Sequence, residues 1–488
     1  MSNQLKAKGG LTNLTPVKVV HIVISLAIMI LFKFIVPASD PLTPLGVEVI
    51  GIFLGMLYGW LIANDSFWPS IFGLILLGLS DYSTVGGVLK DGFGNSTVLL
   101  IFFFYAFTNI ISSAGITEYV ARWIVSRKVV QGRPYLLTLM IFLAMCALVI
   151  MISCAAATMV IFPIIKEVCR LYGVKPGSKW ASFTLVGTIC VGCSFYMLLP
   201  FKSLPAVVFS SYTQMSGGDS IGMIPYLFIV VVITAATIAV LLAFMKFVLK
   251  CDVSVIANSD RSMEKLPPLT GHQKFVMAYF VVVITLLLFP SFVPKTFIVS
   301  AVLNSVGSTG ILIGAVGFYI LLNLKEGMPA VQLFSKNVGW SIIFILASAL
   351  TIADAMAAES TGISPWLVQI ITPVVQGKSP LIFTAIMCVI GLVLTNVANN
   401  IATAAMLTPI AYTVGVACGV NPQALAVCVL LATNMGLATP PASAPAAIVH
   451  GDKEWIPGND AFKYGLFCAV ITLILILAVV FPIASAMY

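Results

Sequence analysis

Apolar stretches of about twenty residues recur along the whole of this chain, each long enough to cross roughly 30 Å of hydrocarbon. The two-residue alternation of an outer-membrane barrel is absent, so the chain reads as an all-α polytopic membrane protein. A soluble fold is excluded on surface alone. With 488 residues, 60% of them hydrophobic and 9% charged, the chain carries more apolar area than one globular core can hide. Spans are expected near 17–37, 45–63, 67–80, 95–116, 181–210, 221–249, 273–293, 298–323, 338–358, 422–449 and 462–486. The first follows a polar tail, 1–16, with no small-residue cleavage site, and reads as an anchor rather than a signal peptide.

The net charge of +8 does not point to nucleic acid, because the bases fall in groups. Lys6, Lys8 and Lys18 precede the first span; Arg122, Arg127, Lys128 and Arg133 follow the fourth; Lys166, Arg170, Lys175 and Lys179 form a third group. Lys246, Lys250, Arg261, Lys265 and Lys274 form the last. Loops nearly free of Lys and Arg alternate with these groups, which is the positive-inside pattern. It predicts an inner-membrane protein with a cytoplasmic N-terminus. Lys202 fits neither side. The polar segment 251–272, carrying Pro267-Pro268, is the one clear linker, and it divides the chain into halves 17–250 and 273–488.

Residues 129–163 and 374–410 are nearly the same text written twice. Each begins Val-Val-Gln-Gly (Val129 to Gly132, Val374 to Gly377), followed by a basic residue and a proline. An apolar run then reaches a short polar cluster, Ser153-Cys154 in one copy and Asn399-Asn400 in the other, with Pro163 and Pro409 ten residues after each cluster begins. Each copy is expected to form a helical hairpin, 134–172 and 380–418. Bases flank the first pair at Arg133 and Lys166, as expected of a re-entrant hairpin, although two full spans have the same parity. An odd number of crossings between the copies makes them inverted-topology repeats. Two matched, interrupted apolar segments in corresponding halves point to the binding site of a secondary transporter.

A long helix with a polar, Pro-containing break follows each hairpin. In 181–210 the break is Gly192-Cys193-Ser194 and then Leu199-Pro200-Phe201-Lys202-Ser203-Leu204-Pro205. In 422–449 it is Thr433-Asn434-Met435-Gly436 and then Ala438-Thr439-Pro440-Pro441-Ala442-Ser443-Ala444-Pro445. Paired prolines free backbone carbonyls and N–H groups. At membrane depth these survive only where they are buried in protein or line an aqueous cavity, and there they suit cations and anions respectively.

At these residues the chain resembles the divalent anion:sodium symporter family of the ion transporter superfamily, over roughly residues 95–450. That family carries dicarboxylates, citrate and sulfate, and has a Ser-Asn-Thr tripeptide at each hairpin tip and a Thr-Pro-Pro-Asn-like turn in the unwound helices. The tripeptides fall on Ser153-Cys154-Ala155 and Asn399-Asn400-Ile401, and Ala438-Thr439-Pro440-Pro441 matches the second turn. The resemblance implies an anion held by Ser153, Cys154, Ser203, Asn399, Asn400, Thr439 and Pro440, and Lys202 joins these candidates on its own chemistry. It implies a sodium site at Thr395, Asn399, Asn400 and Ala438, no organic cofactor, and a homodimer in the bilayer. Cys154, Ala155 and Ile401 depart from the family pattern, so the first sodium site lacks its usual ligands. Lys202 replaces a Gly/Thr-rich turn. Intramembrane lysine is functional by default, and its ammonium is expected either to replace the first sodium or to pair with the anion; snorkelling into water is the structural alternative.

Other polar groups read more plainly. Cys190-x-x-Cys193 lies among buried helix residues with no second pair, so close helix packing is preferred to metal or redox chemistry. Asp354 is either a proton or cation site or, as its place near the end of a span favours, an interfacial acid; Asn396 and Asn434 either line the site or join helices; Ser443 extends the pocket. His21, His272 and His450 have no ligand spacing, and His450 with Asp452 marks a helix end. The reading is a carrier of a small organic, di- or tricarboxylate-like anion, cation-coupled or, with Lys202 as fixed charge, an exchanger. A membrane enzyme would need a catalytic constellation such as H-E-x-x-H, and a channel more pore-lining charge.

Overall fold

The apolar runs fold as helices, and ten of the described helices are long and apolar enough to cross a membrane. The structure, a computed structural model, describes residues 16–63, 65, 67–257, 266–294, 296–323, 330–335, 338–363, 365–366, 369–370, 379–397, 400–417, 419–440, 442–457 and 459–488. The tail up to residue 15, Arg261 and Lys265, the second Val-Val-Gln-Gly, Asn399 and Pro441 lie outside the described residues. Among the described residues the β-structure is one isolated bridge, Ser39 to Leu42.

Helices Pro16–Ile35, Pro44–Leu61 and Phe67–Leu79 form a packed group. Small residues set their spacing. The Ser25 hydroxyl donates to the Gly55 carbonyl at 2.7 Å, and a Cβ on Gly55 would lie 2.3 Å from Met29 Cγ and 2.7 Å from the Ser25 carbonyl oxygen. Ser96–Ser113 and Trp340–Ala357 continue this scaffold. Two short helices, Val85–Phe93 and Ile116–Val125, occupy stretches that hydropathy reads as loops, because nine or ten residues are too few to span. The second is amphipathic. Its Arg122 pairs with Glu118 one turn earlier (3.1 Å) and with Glu167 at 2.9 Å, tying it to the first hairpin.

The first hairpin consists of Pro134–Met151 and Cys154–Tyr172, joined by Ile152 and Ser153. Pro134 opens its arm where a missing N–H costs nothing, and the Ser153 hydroxyl caps the second arm by accepting from Ala156 N at 3.3 Å. Gly173, at φ 74°, closes it in the left-handed region. Pro380–Val397 and Asn400–Ala417 are the arms of the second hairpin. Both of its arms begin 246 residues after their counterparts.

Each long helix behind a hairpin is broken. Lys179–Tyr196 resumes as Ser203–Met215, and Pro422–Thr433 resumes as Ala444–Gly451. Every residue from Trp180 to Ser194 is buried, as is every residue from Ala424 to Thr433, so these half-helices are the centre of the molecule. The hairpins are laid crosswise over them. The first rests on Lys179–Tyr196 of its own half and on Ala444–Gly451 of the other; the second rests on Pro422–Thr433 and on Ser203–Met215. Lys166 Nζ meets Asp452 Oδ2 at 2.6 Å along one of these seams. The expected straight span 298–323 is instead Ile298–Leu322 with a kink at Gly307, whose φ of 69° no helix residue adopts.

Gly55→Val forces a branched side chain into the Ser25 and Met29 backbone. We expect a thermal midpoint several degrees below wild type in detergent, read by fluorescence-detected size exclusion, with overpacking as the cause. An unshifted midpoint contradicts the close approach.

Candidate functional site

The first break is closed by a lysine. Pro200 and Pro205 interrupt the helix, and Lys202, extended at φ −81° and ψ 156°, starts the next one. Its side chain is 1% exposed. Nζ donates to the carbonyls of Ile152 (2.8 Å) and Val149, and lies 4.5 Å from the centre of the Tyr196 ring and 5.7 Å from that of Phe104. The last carbonyls of an α-helix have no N–H of their own and carry its negative end. The ammonium therefore caps the first arm of the first hairpin, with aromatic faces over its remaining side. Beside it the Ser203 and Tyr196 hydroxyls share a hydrogen bond at 3.1 Å.

Cys154 opens the second arm of this hairpin, half-buried, with its Sγ 3.8 Å from that of Cys193 in the last turn of Lys179–Tyr196. The Cys193 carbonyl in turn accepts from Asn434 Nδ2 at 2.5 Å. Asn434 is the first residue of the second break, so the two broken helices meet here.

The second tip carries oxygen. The Thr395 hydroxyl lies 2.5 Å from the Thr433 carbonyl and 2.7 Å from Asn400 Oδ1. The hydroxyl proton can satisfy the Thr433 carbonyl, and the Asn400 amide, which has both an oxygen and an NH2, meets the same hydroxyl. Gly436 packs on the same cluster, because a Cβ there would lie 2.6 Å from Asn400 Oδ1 and 2.9 Å from the Thr395 carbonyl. A hydroxyl, an amide and a main-chain carbonyl are neutral oxygen donors of the type a hard cation takes.

One side chain services the second break. Asn396 donates to the Met435 carbonyl (3.1 Å) and the Leu392 carbonyl (2.8 Å), and its Oδ1 accepts from Ala438 N at 2.8 Å. Thr439 donates its hydroxyl to the Asn396 carbonyl, and the Ser443 hydroxyl donates to Gly436 O at 2.8 Å.

Of the residues singled out from sequence, the structure thus joins Cys154 through Cys193, Asn434 and Thr433 to Thr395 and Asn400. Ala438 faces Asn396 through its N–H rather than the Thr395 cluster, Pro440 is exposed, and Asn399 lies outside the described residues. Asp354 is half-buried in Trp340–Ala357, away from these contacts. Tyr196, Thr433 and Gly436 were given no role from sequence. Two act through a ring face and a backbone carbonyl, which residue type does not advertise; Gly436, inside a polar break, was the available signal. A crevice of about 430 Å³ lies between the scaffold and the first break, lined by Asn95, Thr97, Phe201, Ser210 and Gln214 among others.

The citrate transporter family model matches residues 56–432. The sodium-dependent dicarboxylate transporter SdcS of Staphylococcus saprophyticus is 28% identical over 147 residues, 30% of this chain and 28% of that protein. SdcS of Staphylococcus aureus strain MRSA252 is 28% identical over 149 residues, again 30% and 28%. The match therefore spans little more than a quarter of the curated relatives. Two solved structures share the fold over 96% of this chain: the Alcanivorax borkumensis YdaH transporter (97% of that chain, TM-score 0.58, 11% identity) and Neisseria gonorrhoeae MtrF (95%, 0.59, 13%).

Lys202→Met keeps the stem and removes the donors, leaving the Val149 and Ile152 carbonyls bare at about 1–3 kcal/mol each. We expect a lower thermal midpoint and faster hydrogen exchange over residues 150–156. Exchange unchanged there contradicts the capping role.

Proposed function

The chain belongs to the citrate transporter family, and from that premise we propose that it is a secondary carrier moving a di- or tricarboxylate anion across the membrane by alternating access. The convergence of both hairpin tips on both helix breaks carries this reading: Cys154 to Cys193 at 3.8 Å, Cys193 to Asn434 at 2.5 Å, and Thr433 to Thr395 at 2.5 Å. Both second arms start at this locus, so two helix N-termini serve the carboxylates. The scaffold stays with the bilayer while hairpins and broken helices move together.

Coupling is divided unequally between the halves. In the second, Thr395, Asn400 and the Thr433 carbonyl hold one sodium ion, a cargo of the cycle. At the 246-residue spacing their partners in the first half are Val149 and Cys154, which bring no side-chain oxygen. There the Lys202 ammonium takes the Val149 carbonyl, standing where a second sodium would. A bound charge that never leaves also supports a second reading, obligate exchange, in which the carrier returns only when loaded.

Proteoliposomes carrying citrate or succinate separate these. Sodium symport predicts saturable uptake accelerated by an inward sodium gradient, with Asn400→Ala raising the half-saturating sodium concentration about tenfold, or ~1.4 kcal/mol. Exchange predicts uptake that needs internal anion and ignores sodium. Absence of saturable uptake for either acid, and for sulfate, overturns the carrier reading.

A further inference from the structure

The two thiols at the first tip are placed for chemistry that transport of an anion does not require. Of the nine described cysteines, Cys154 alone is not buried. It stands one residue after Ser153 at the tip, and its Sγ is 3.8 Å from that of Cys193, which sits closed off beneath it. A second thiol contact, Cys190 with Cys468, is buried on both sides and has no such outlet.

We propose that Cys154 and Cys193 form a reversible disulfide when the protein meets a hydroperoxide, and that this bond suppresses transport by pulling the first residue of the hairpin's second arm away from the anion site. The peroxide reaches the partly exposed sulfur first. Its O–O bond breaks as an S–O bond forms on Cys154, giving a sulfenic acid and one water from hydrogen peroxide. The Cys193 sulfur then displaces the sulfenic oxygen, which leaves as a second water with the Cys193 proton, and the S–S bond forms. Two thiols are oxidised and one peroxide is reduced. A thiol reductant reverses the step by exchange.

The geometry says why this bond matters. A disulfide brings the sulfurs to about 2.05 Å, so the two must close by roughly 1.8 Å through side-chain rotation and movement of the arm that carries Cys154. Cys193 cannot follow freely, because its carbonyl is held by Asn434 at 2.5 Å and its helix is buried throughout. Cys154 moves instead. It is the first residue of the arm whose N-terminus faces the anion site, and it lies two residues from the Ile152 carbonyl that Lys202 caps. Disulfides in reducing compartments are typically transient sensors, which suits a pair in contact but unbonded.

Bond formation is independent of the carrier reading; the suppression of uptake rests on it. The purified chain in proteoliposomes is treated with hydrogen peroxide, alkylated, digested and analysed by mass spectrometry, with citrate and succinate uptake and hydrogen exchange followed in parallel. A Cys154–Cys193 linked peptide should appear, exchange over residues 150–156 should slow, and uptake should fall at least tenfold, all reversed by dithiothreitol. Cys190→Ala, outside the site, should retain uptake and stay sensitive, while in Cys193→Ala whatever uptake remains should no longer respond to peroxide. No linked peptide in the wild-type chain overturns the proposal, whether or not Cys193→Ala folds. So does a linked peptide with uptake and tip exchange both unchanged. If the wild-type chain transports none of the tested acids, the carrier reading fails, and the linked peptide with slowed exchange still decides the pull on the tip.

Discussion

A carbonyl or N–H that has lost its helical partner is costly wherever water is excluded. This fold produces such groups at its centre, at two breaks and two hairpin tips, and the remainder of the architecture answers them. Val149 and Ile152 receive an ammonium; Met435 and Ala438 receive the amide of Asn396; Cys193 receives the amide of Asn434. At the second tip the Thr395 hydroxyl meets the Thr433 carbonyl and the Asn400 amide.

The two halves solve the same problem with different chemistry. A lysine covalently attached to the chain brings its own donors. A cluster of neutral oxygens supplies no charge and must recruit it. Desolvating a single ammonium is expensive, and two carbonyls at a helix C-terminus and the Tyr196 face offset part of that cost. The asymmetry is thus affordable in packing terms without disturbing either hairpin.

The long helices were legible because hydrocarbon thickness dictates their length, and the breaks because Pro200, Pro205, Pro440 and Pro445 cannot continue a helix. The hairpins were legible because their text is repeated. The helices Val85–Phe93 and Ile116–Val125 were not, since a short amphipathic turn leaves no mark on a twenty-residue average. Gly307 looked like any glycine in a membrane span until its φ was known. At the site, Lys202 announced itself by its expense, but its partners are main-chain oxygens of Val149 and Ile152, apolar residues that no motif would select. Asn396 was seen as polar and left open between two roles; its bonds to Met435 and Ala438 place it as the splint across a break.

The crosswise seating of the hairpins also bears on how the chain is made. The second arm of the first hairpin ends at Tyr172, yet the half-helix it rests on, Ala444–Gly451, is translated some 270 residues later. At ribosomal speeds that is an interval on the order of tens of seconds. Throughout it the newborn tip, with its serine and cysteine, sits in the insertion machinery or in lipid without its final floor. The seam between Cys154–Tyr172 and Ala444–Gly451, with its Lys166–Asp452 pair, therefore closes only once the C-terminal half has been made.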